Sequence, residues 1–174
     1  INRIRLAHEL PMFMHELSWA QIQFFNKGAL NAMEALDICP DVIIANDWFT
    51  ALTPVLLKSH INYRNLARFR NTARLFVIHN MKYQGIFYKE LLSRAGLDWH
   101  EFRAEGGLEF YDDINLLKAG INYSDATVTV SRRYKQEIMT PAFGERLDGV
   151  LRAIDQQGRL YGILNGIGET VNPD

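Results

Sequence analysis

The chain has 174 residues, 48% of them hydrophobic and 22% charged, with 19 Lys and Arg against 20 Asp and Glu for a net charge of -1. That balance removes the electrostatic case for a nucleic-acid partner, which needs clustered positive charge. Its single cysteine, Cys39, excludes an internal disulfide framework and a Cys-rich zinc site, and no apolar run approaches the roughly 18 residues that a membrane span requires. Residues 1–13 alternate apolar and charged without a period, are broken by Pro11, and lack a signal-peptide pattern. From Glu16 to Leu36 the residues Trp19, Ile22, Phe25, Leu30, Met33 and Leu36 recur at helical spacing, with Ser18 as the expected N-cap. Val42–Ala45 reads as a buried strand, Ala51–Ser59 as a helix that tolerates Pro54 in its first turn, and Leu75–Ile78 as a second strand. Ile114–Tyr123 reads as a helix, Ala126–Val130 as a strand, Arg132–Met139 and Leu147–Ile154 as helices, and Leu160–Leu164 as a fourth strand. Short apolar strands alternating with helices predict an α/β, doubly wound parallel sheet covered on both faces. No repeat, low-complexity tract or composition shift marks a second domain.

Open parallel sheets bind ligands beyond the carboxyl ends of their strands. The residues following each predicted strand are therefore the informative ones: Asn46-Asp47-Trp48, then His79-Asn80 with Tyr83-Gln84-Gly85, then Ser131, then Asn165-Gly166. Paired donors and acceptors beside the rings of Trp48 and Tyr83 suit a polyhydroxylated ligand such as a sugar or a nucleotide. Polar strand ends are common in α/β proteins, so this pattern alone leaves the ligand open.

The order of phrases narrows it. Pro40-Asp41-Val42-Ile43-Ile44-Ala45-Asn46-Asp47-Trp48, Ile78-His79-Asn80 through Tyr83-Gln84-Gly85, and Glu109-Phe110-Tyr111 through Leu116-Leu117-Lys118-Ala119-Gly120-Ile121 resemble phrases of bacterial glycogen synthases and plant starch synthases. Val128-Thr129-Val130-Ser131, Leu147-Asp148-Gly149-Val150-Leu151-Arg152, Gly162-Ile163-Leu164-Asn165-Gly166-Ile167 and Asn172-Pro173 continue in family order. The resemblance implies a GT-B glycosyltransferase in which two Rossmann-like domains face each other across a cleft. It implies transfer of glucose from ADP-glucose or UDP-glucose to the non-reducing end of an α-1,4-glucan, with retention and without a metal or other cofactor. Residues 1–174 then correspond to part of the N-terminal, acceptor-side domain, with the C-terminal donor-binding domain outside the chain. The beginning at Ile1 and the end at Asp174 agree with that expectation, as does a further one, that the isolated chain is inactive and prone to self-association. The resemblance also implies the bacterial cytoplasm, or a plastid in a plant, and leaves the oligomeric state open.

Residue by residue, the resemblance places His79 against the transferred glucose and Asp47 beside the acceptor, the two catalytic candidates. It makes Asn80, Trp48, Tyr83, Gln84, Asn165 and Gly166 candidates for substrate contact. Each has an ordinary alternative. His79 can serve local backbone groups, Asp47 can cap a helix that begins near Thr50, Trp48 can be a buried anchor, Tyr83 and Gln84 can shape the loop after His79, and Asn80, Asn165 and Gly166 can be turn residues. Asn46 stands where many family members have His and stays within the pattern, whereas Arg132, Glu145-Arg146 and Gly168–Val171 depart from it. The basic stretch from His60 to Arg74 reads as solvated surface. Glu101, Glu105, Glu109, Asp112 and Asp113 show no spacing that sets up the carboxylate pair of a hydrolase. Five scattered histidines carry no metal-ligand spacing. A non-catalytic glucan-binding or regulatory module with the same acceptor-side residues is the competing reading.

Overall fold

The computed structural model describes residues 12–166, with side chains from Ser18 onward. The readings made for residues 1–11 and for Ile167–Asp174 lie outside the described residues. Helix α1 (Met12–Ala35) leads to strand β1 (Val42–Asn46), the short helix α2 (Asp47–Thr50), helix α3 (Leu52–Ser59) and strand β2 (Ala73–Ile78). Then come β3 (Ile86–Tyr88), three 3-10 turns, β4 (Glu109–Phe110), β5 (Asp113–Asn115) and helix α4 (Leu116–Tyr123). Strand β6 (Ala126–Thr129), helices α5 (Arg132–Ile138) and α6 (Asp148–Gln156), and strand β7 (Leu160–Gly162) complete the order.

The main sheet has four parallel strands in the order β1-β2-β6-β7. Because successive strands step in one direction, right-handed crossovers bring their helices to a single face. Phe76, Ile78, Thr127, Thr129 and Leu160 are buried on that face. Gly120 of α4 approaches Phe76 so closely that a Cβ would lie 2.4 Å from the ring. The opposite face shows Val42, Ile44 and Tyr161 with exposures of 50%, 58% and 49%. Cover on both faces, expected from the apolar runs, is thus met on one face only among the described residues. A second winding needs strands beyond β1, where the order would reverse.

Two expectations for α1 change. The helix runs through Ser18, which therefore lies inside it and caps nothing. Phe25 and Leu36 are 51% and 70% exposed, while Ile22, Asn26 and Leu30, spaced by four, form the buried row. A second sheet, antiparallel in the order β3-β5-β4, was not anticipated. Its strands have only two or three residues, too short to show a period. Consequently α4 starts at Leu116, because Ile114 belongs to β5.

Candidate functional site

Strands β1 and β2 are neighbours, with Asn46 in register with Val77, so the residues after them meet at one corner of the sheet. Asp47 takes a left-handed backbone, φ 52°, which Asp tolerates better than most residues. It starts α2 rather than capping a helix near Thr50. Thr50 closes the turn instead, its hydroxyl donating to the Asn46 carbonyl (2.7 Å) and accepting from the Asn46 N–H (2.6 Å). The Asp47 carboxylate accepts the backbone N–H of His79 through Oδ1 at 2.9 Å. His79 Nε2 lies 3.1 Å from Asn46 Oδ1. The tautomer protonated on Nε2 donates to that oxygen and keeps Nδ1 as an acceptor. Asp47 and Asn46 therefore hold His79 from both ends, by its backbone and by its ring, while the ring stays exposed at the sheet edge.

The loop after His79 is fastened from several elements. Asn80 Oδ1 accepts the Lys82 N–H (2.9 Å), making a tight turn. The Met81 N–H donates to the Tyr134 hydroxyl of α5 (3.2 Å). Gln84 Nε2 donates to the Glu145 carbonyl (2.9 Å), and Gln84 Oε1 accepts from Asn115 Nδ2 (2.5 Å). The carbonyls of Gln84 and Gly85 accept two N–H groups of the first turn of α4, from Leu117 (2.9 Å) and Leu116 (3.0 Å), where a helix otherwise has unpaired donors. Gly85 has φ 63° and lies flat against Trp48, whose Cε3 would sit 2.4 Å from any Cβ placed there.

The predicted site residues therefore separate into groups. Asp47, His79 and Asn80 come together, with His79 exposed and Asp47 partly so. Trp48 is half-buried, packed near Phe49 and Phe87 with ring centroids 5.8 and 6.4 Å away, and it seats the Gly85 loop. Gln84 frames the loop by hydrogen bonds, and Tyr83 projects with 64% of its surface exposed. Asn165 and Gly166 follow β7 at the sheet's other edge and are exposed. The adjoining residues Ile163 and Leu164 line an open cavity of about 500 Å³ with Arg132 and Gly162, and the His79 corner does not contribute to it.

Sequence reasoning missed three positioning residues. Asn46 was given no role of its own, yet its side chain meets the His79 ring. Tyr134 was assigned no role, yet its hydroxyl anchors the Met81 N–H. Asn26 is completely buried, and its amide donates to the Ile22 and Phe49 carbonyls at 2.8 and 2.9 Å. Its oxygen accepts the Thr53 N–H (2.9 Å) and hydroxyl (2.6 Å). Asn26 thereby ties α1 to the junction of α2 and α3 that carries Asp47. A lone polar residue in register with Ile22 and Leu30 was the available signal.

Among the described residues no three His, Cys, Asp or Glu side chains group as metal ligands, and no helix is long and apolar enough to cross a membrane. The carboxylates from Glu101 to Asp113 do not converge on a catalytic pair. Glu101 is buried in its own network, Asp112 pairs with Lys89 (2.5 Å), and Glu109 accepts the Asp112 N–H (2.8 Å). In the basic stretch, Arg68 pairs with Asp37 (3.2 Å) and Arg74 with Asp125 (2.6 Å), whereas His60 is buried rather than solvated.

Comparison with known proteins agrees with this geometry. A family model described as the starch synthase catalytic domain matches residues 13–153. The glycogen synthase of Thermotoga maritima is 47% identical over 154 residues, covering 88% of this chain and 31% of that protein. The glycogen synthase of Lactiplantibacillus plantarum is 45% identical over 148 residues, covering 85% and 30%. Among solved structures, the catalytic domain of starch synthase IV from Arabidopsis thaliana, bound to ADP and acarbose, matches with a TM-score of 0.76 and 28% identity over 86% of this chain and 30% of that one. The chain spans about 30% of the length of these relatives. With the family model covering residues 13–153 and the strand-end residues standing in the expected order on a parallel sheet, the chain belongs to the glycogen and starch synthase family of glycosyltransferases.

Proposed function

We propose that this chain is the acceptor-side part of a retaining glucosyltransferase that moves glucose from ADP-glucose or UDP-glucose to the 4-hydroxyl at the non-reducing end of an α-1,4-glucan, without a metal. The observation that carries the reading is the fixed presentation of His79, with Asp47 on its N–H and Asn46 beside its ring at an exposed strand end. Glucosyl transfer passes through an oxocarbenium-like state, which oriented dipoles at the anomeric carbon stabilise without rearranging during the reaction. His79 would supply that environment and a contact to a glucose hydroxyl. Asp47 would hold the His79 backbone and orient the acceptor hydroxyl, and Asn80 would shape the turn around the sugar. The parallel sheet supports the placement, because Asp47 and His79 follow the carboxyl ends of the neighbouring strands β1 and β2, the edge beyond which open α/β sheets take ligands. Groups for the nucleoside diphosphate would come from the remaining two-thirds or so of a family-length protein, in a C-terminal donor-binding domain.

The test is made in the full-length parent enzyme with glycogen and each nucleotide sugar. His79→Ala is expected to lower turnover about 100-fold or more, the size of effect seen when one preorganised electrostatic group is lost. Near-normal turnover would overturn the role of His79. Robust transfer by the 174-residue chain alone would overturn the claim that the site is shared with a second domain.

A further inference from the structure

Helix α4 begins at a buried junction whose hydrogen bonds run to the loop that follows His79. Its first three N–H groups have no partners inside the helix. Leu116 donates to the Gly85 carbonyl (3.0 Å), Leu117 to the Gln84 carbonyl (2.9 Å) and Lys118 to Asn115 Oδ1 (2.9 Å). Asn115 is completely buried, and its Nδ2 donates to Gln84 Oε1 (2.5 Å). Gln84 Nε2 in turn donates to two backbone carbonyls, of Glu145 at 2.9 Å and of Met81 at 3.3 Å. Met81 lies two residues after His79. Glu145 and Arg146 form a turn in the left-handed region without glycine, φ 47° and 69°, a costly backbone that persists only where its surroundings hold it.

The two amides form a relay with one direction. Backbone carbonyls only accept and backbone N–H groups only donate. The Met81 and Glu145 carbonyls therefore fix Nε2 at one end of Gln84, and the Lys118 N–H fixes Oδ1 at the far end of Asn115. Between those ends the side chains can meet only as Nδ2 with Oε1, as they do. Both N–H groups of Gln84 and its Oε1 are engaged within the protein, so Gln84 ties two loops 61 residues apart in sequence. We propose that Asn115 and Gln84 are positioning residues for glucosyl transfer, holding the His79 loop and the Glu145 turn in one arrangement on the N-terminus of α4. Asn115 acts only through Gln84 and, being buried, touches no substrate. The proposal rests on the glucosyltransferase reading for its reaction.

Two nearly isosteric changes test the relay. Asn115→Asp keeps an acceptor for the Lys118 N–H but sets an oxygen against Gln84 Oε1, and Gln84→Glu sets an oxygen against the Met81 and Glu145 carbonyls. In the full-length parent enzyme each is expected to lower kcat about 10-fold or more while KM for glycogen stays within about 2-fold, the pattern of a misplaced reacting group and not of lost binding. In a Gln84→Leu background Asn115→Asp should add no more than about 2-fold, because its effect passes through Gln84. A second readout needs no turnover. In the 174-residue chain Asn115→Asp should move the amide NMR resonances of Lys82 and Arg146, whose peptide groups contain the two carbonyls, although Asn115 bonds to neither. Circular dichroism verifies folding of each variant. If Asn115→Asp does not fold, Gln84→Glu, at a half-buried side chain, decides by the same kcat and resonance criteria. Near-normal kcat in the folded variants overturns the proposal, as do unmoved Lys82 and Arg146 resonances or a full additional loss in the Gln84→Leu background. The transferase reading is judged separately, by turnover of the wild-type and His79→Ala full-length enzymes, so each can fail without the other.

Discussion

Asp47 and Glu101 are carboxylates in opposite circumstances. Glu101 is 3% exposed and accepts from the Tyr123 hydroxyl, from Arg103 Nη1 (3.1 Å) and from Ser59, with His100 Nε2 at 2.8 Å from its other oxygen. Burial pushes its pKa up, but the hydrogen bonds from Tyr123, Ser59 and Arg103 outweigh burial and hold it below the usual carboxylate range. Tyr123 responds in the other direction, its hydroxyl pushed well up by burial and then by its hydrogen bond to Glu101 and the charge there. Asp47, partly exposed, commits Oδ1 to the His79 N–H, and among the described residues its second oxygen takes no hydrogen bond. A saturated buried carboxylate joins elements, here the ends of α3 and α4 to the Glu101 turn. An unsaturated exposed one keeps acceptor capacity for a ligand. Polarity alone does not separate the two; the number of partners does.

Removing the saturated group should hurt most. Glu101→Ala is expected to cost about 3 kcal/mol of stability, read from the urea midpoint, because it strands the buried Tyr123 hydroxyl and empties the space of a buried side chain. Since Glu101 ionises more readily in the folded than in the unfolded chain, its stabilisation is fully present above the unfolded value near 4.5 and is lost as pH falls through the lower folded value. Glu101→Gln should therefore flatten the acid limb of the stability profile below about pH 5, and an unchanged limb would break the contrast.

Gly85→Ala is next, at about 2 kcal/mol, because it adds a Cβ in a left-handed backbone where Trp48 leaves no room. A smaller cost would mean that Trp48 is not the seat of the His79 loop. Thr127 offers a gain: its buried hydroxyl has no partner, so Thr127→Val should raise stability by about 1 kcal/mol, seen as a higher melting temperature. The smallest effect belongs to the site. His79→Ala should change the stability of this chain by no more than about 0.5 kcal/mol, as expected for an exposed side chain outside the core. A larger loss would make His79 a structural residue and weaken its assignment to chemistry.

The legible part of the molecule follows from periodicity and from punctuation. Val42–Ala45 and Leu75–Ile78 announced parallel strands because apolar runs of that length suit a buried strand, and both are close to β1 and β2 as observed. Asp47, His79 and Asn80 were visible because strand ends on a parallel sheet converge on one edge. Other features could not be read this way. The β3-β5-β4 sheet has strands too short for alternation, and α1 buries Asn26 in place of Phe25 because hydrogen bonds to Phe49 and Thr53 repay a polar group that hydropathy sends to the surface.

By itself the sequence determined the α/β class, the order of the main strands and the identity of the residues that end them, since each depends on local spacing. Only the tertiary structure decided that the crossovers cover one face of the described sheet, that Asn46 and Asp47 together grip His79, and that Trp48 seats a loop instead of standing open. Those outcomes depend on which strands become neighbours and which donors find acceptors across 30 or more residues of chain, as His79 finds Asp47 32 positions away. Local spacing carries no record of such pairings; three-dimensional packing creates them.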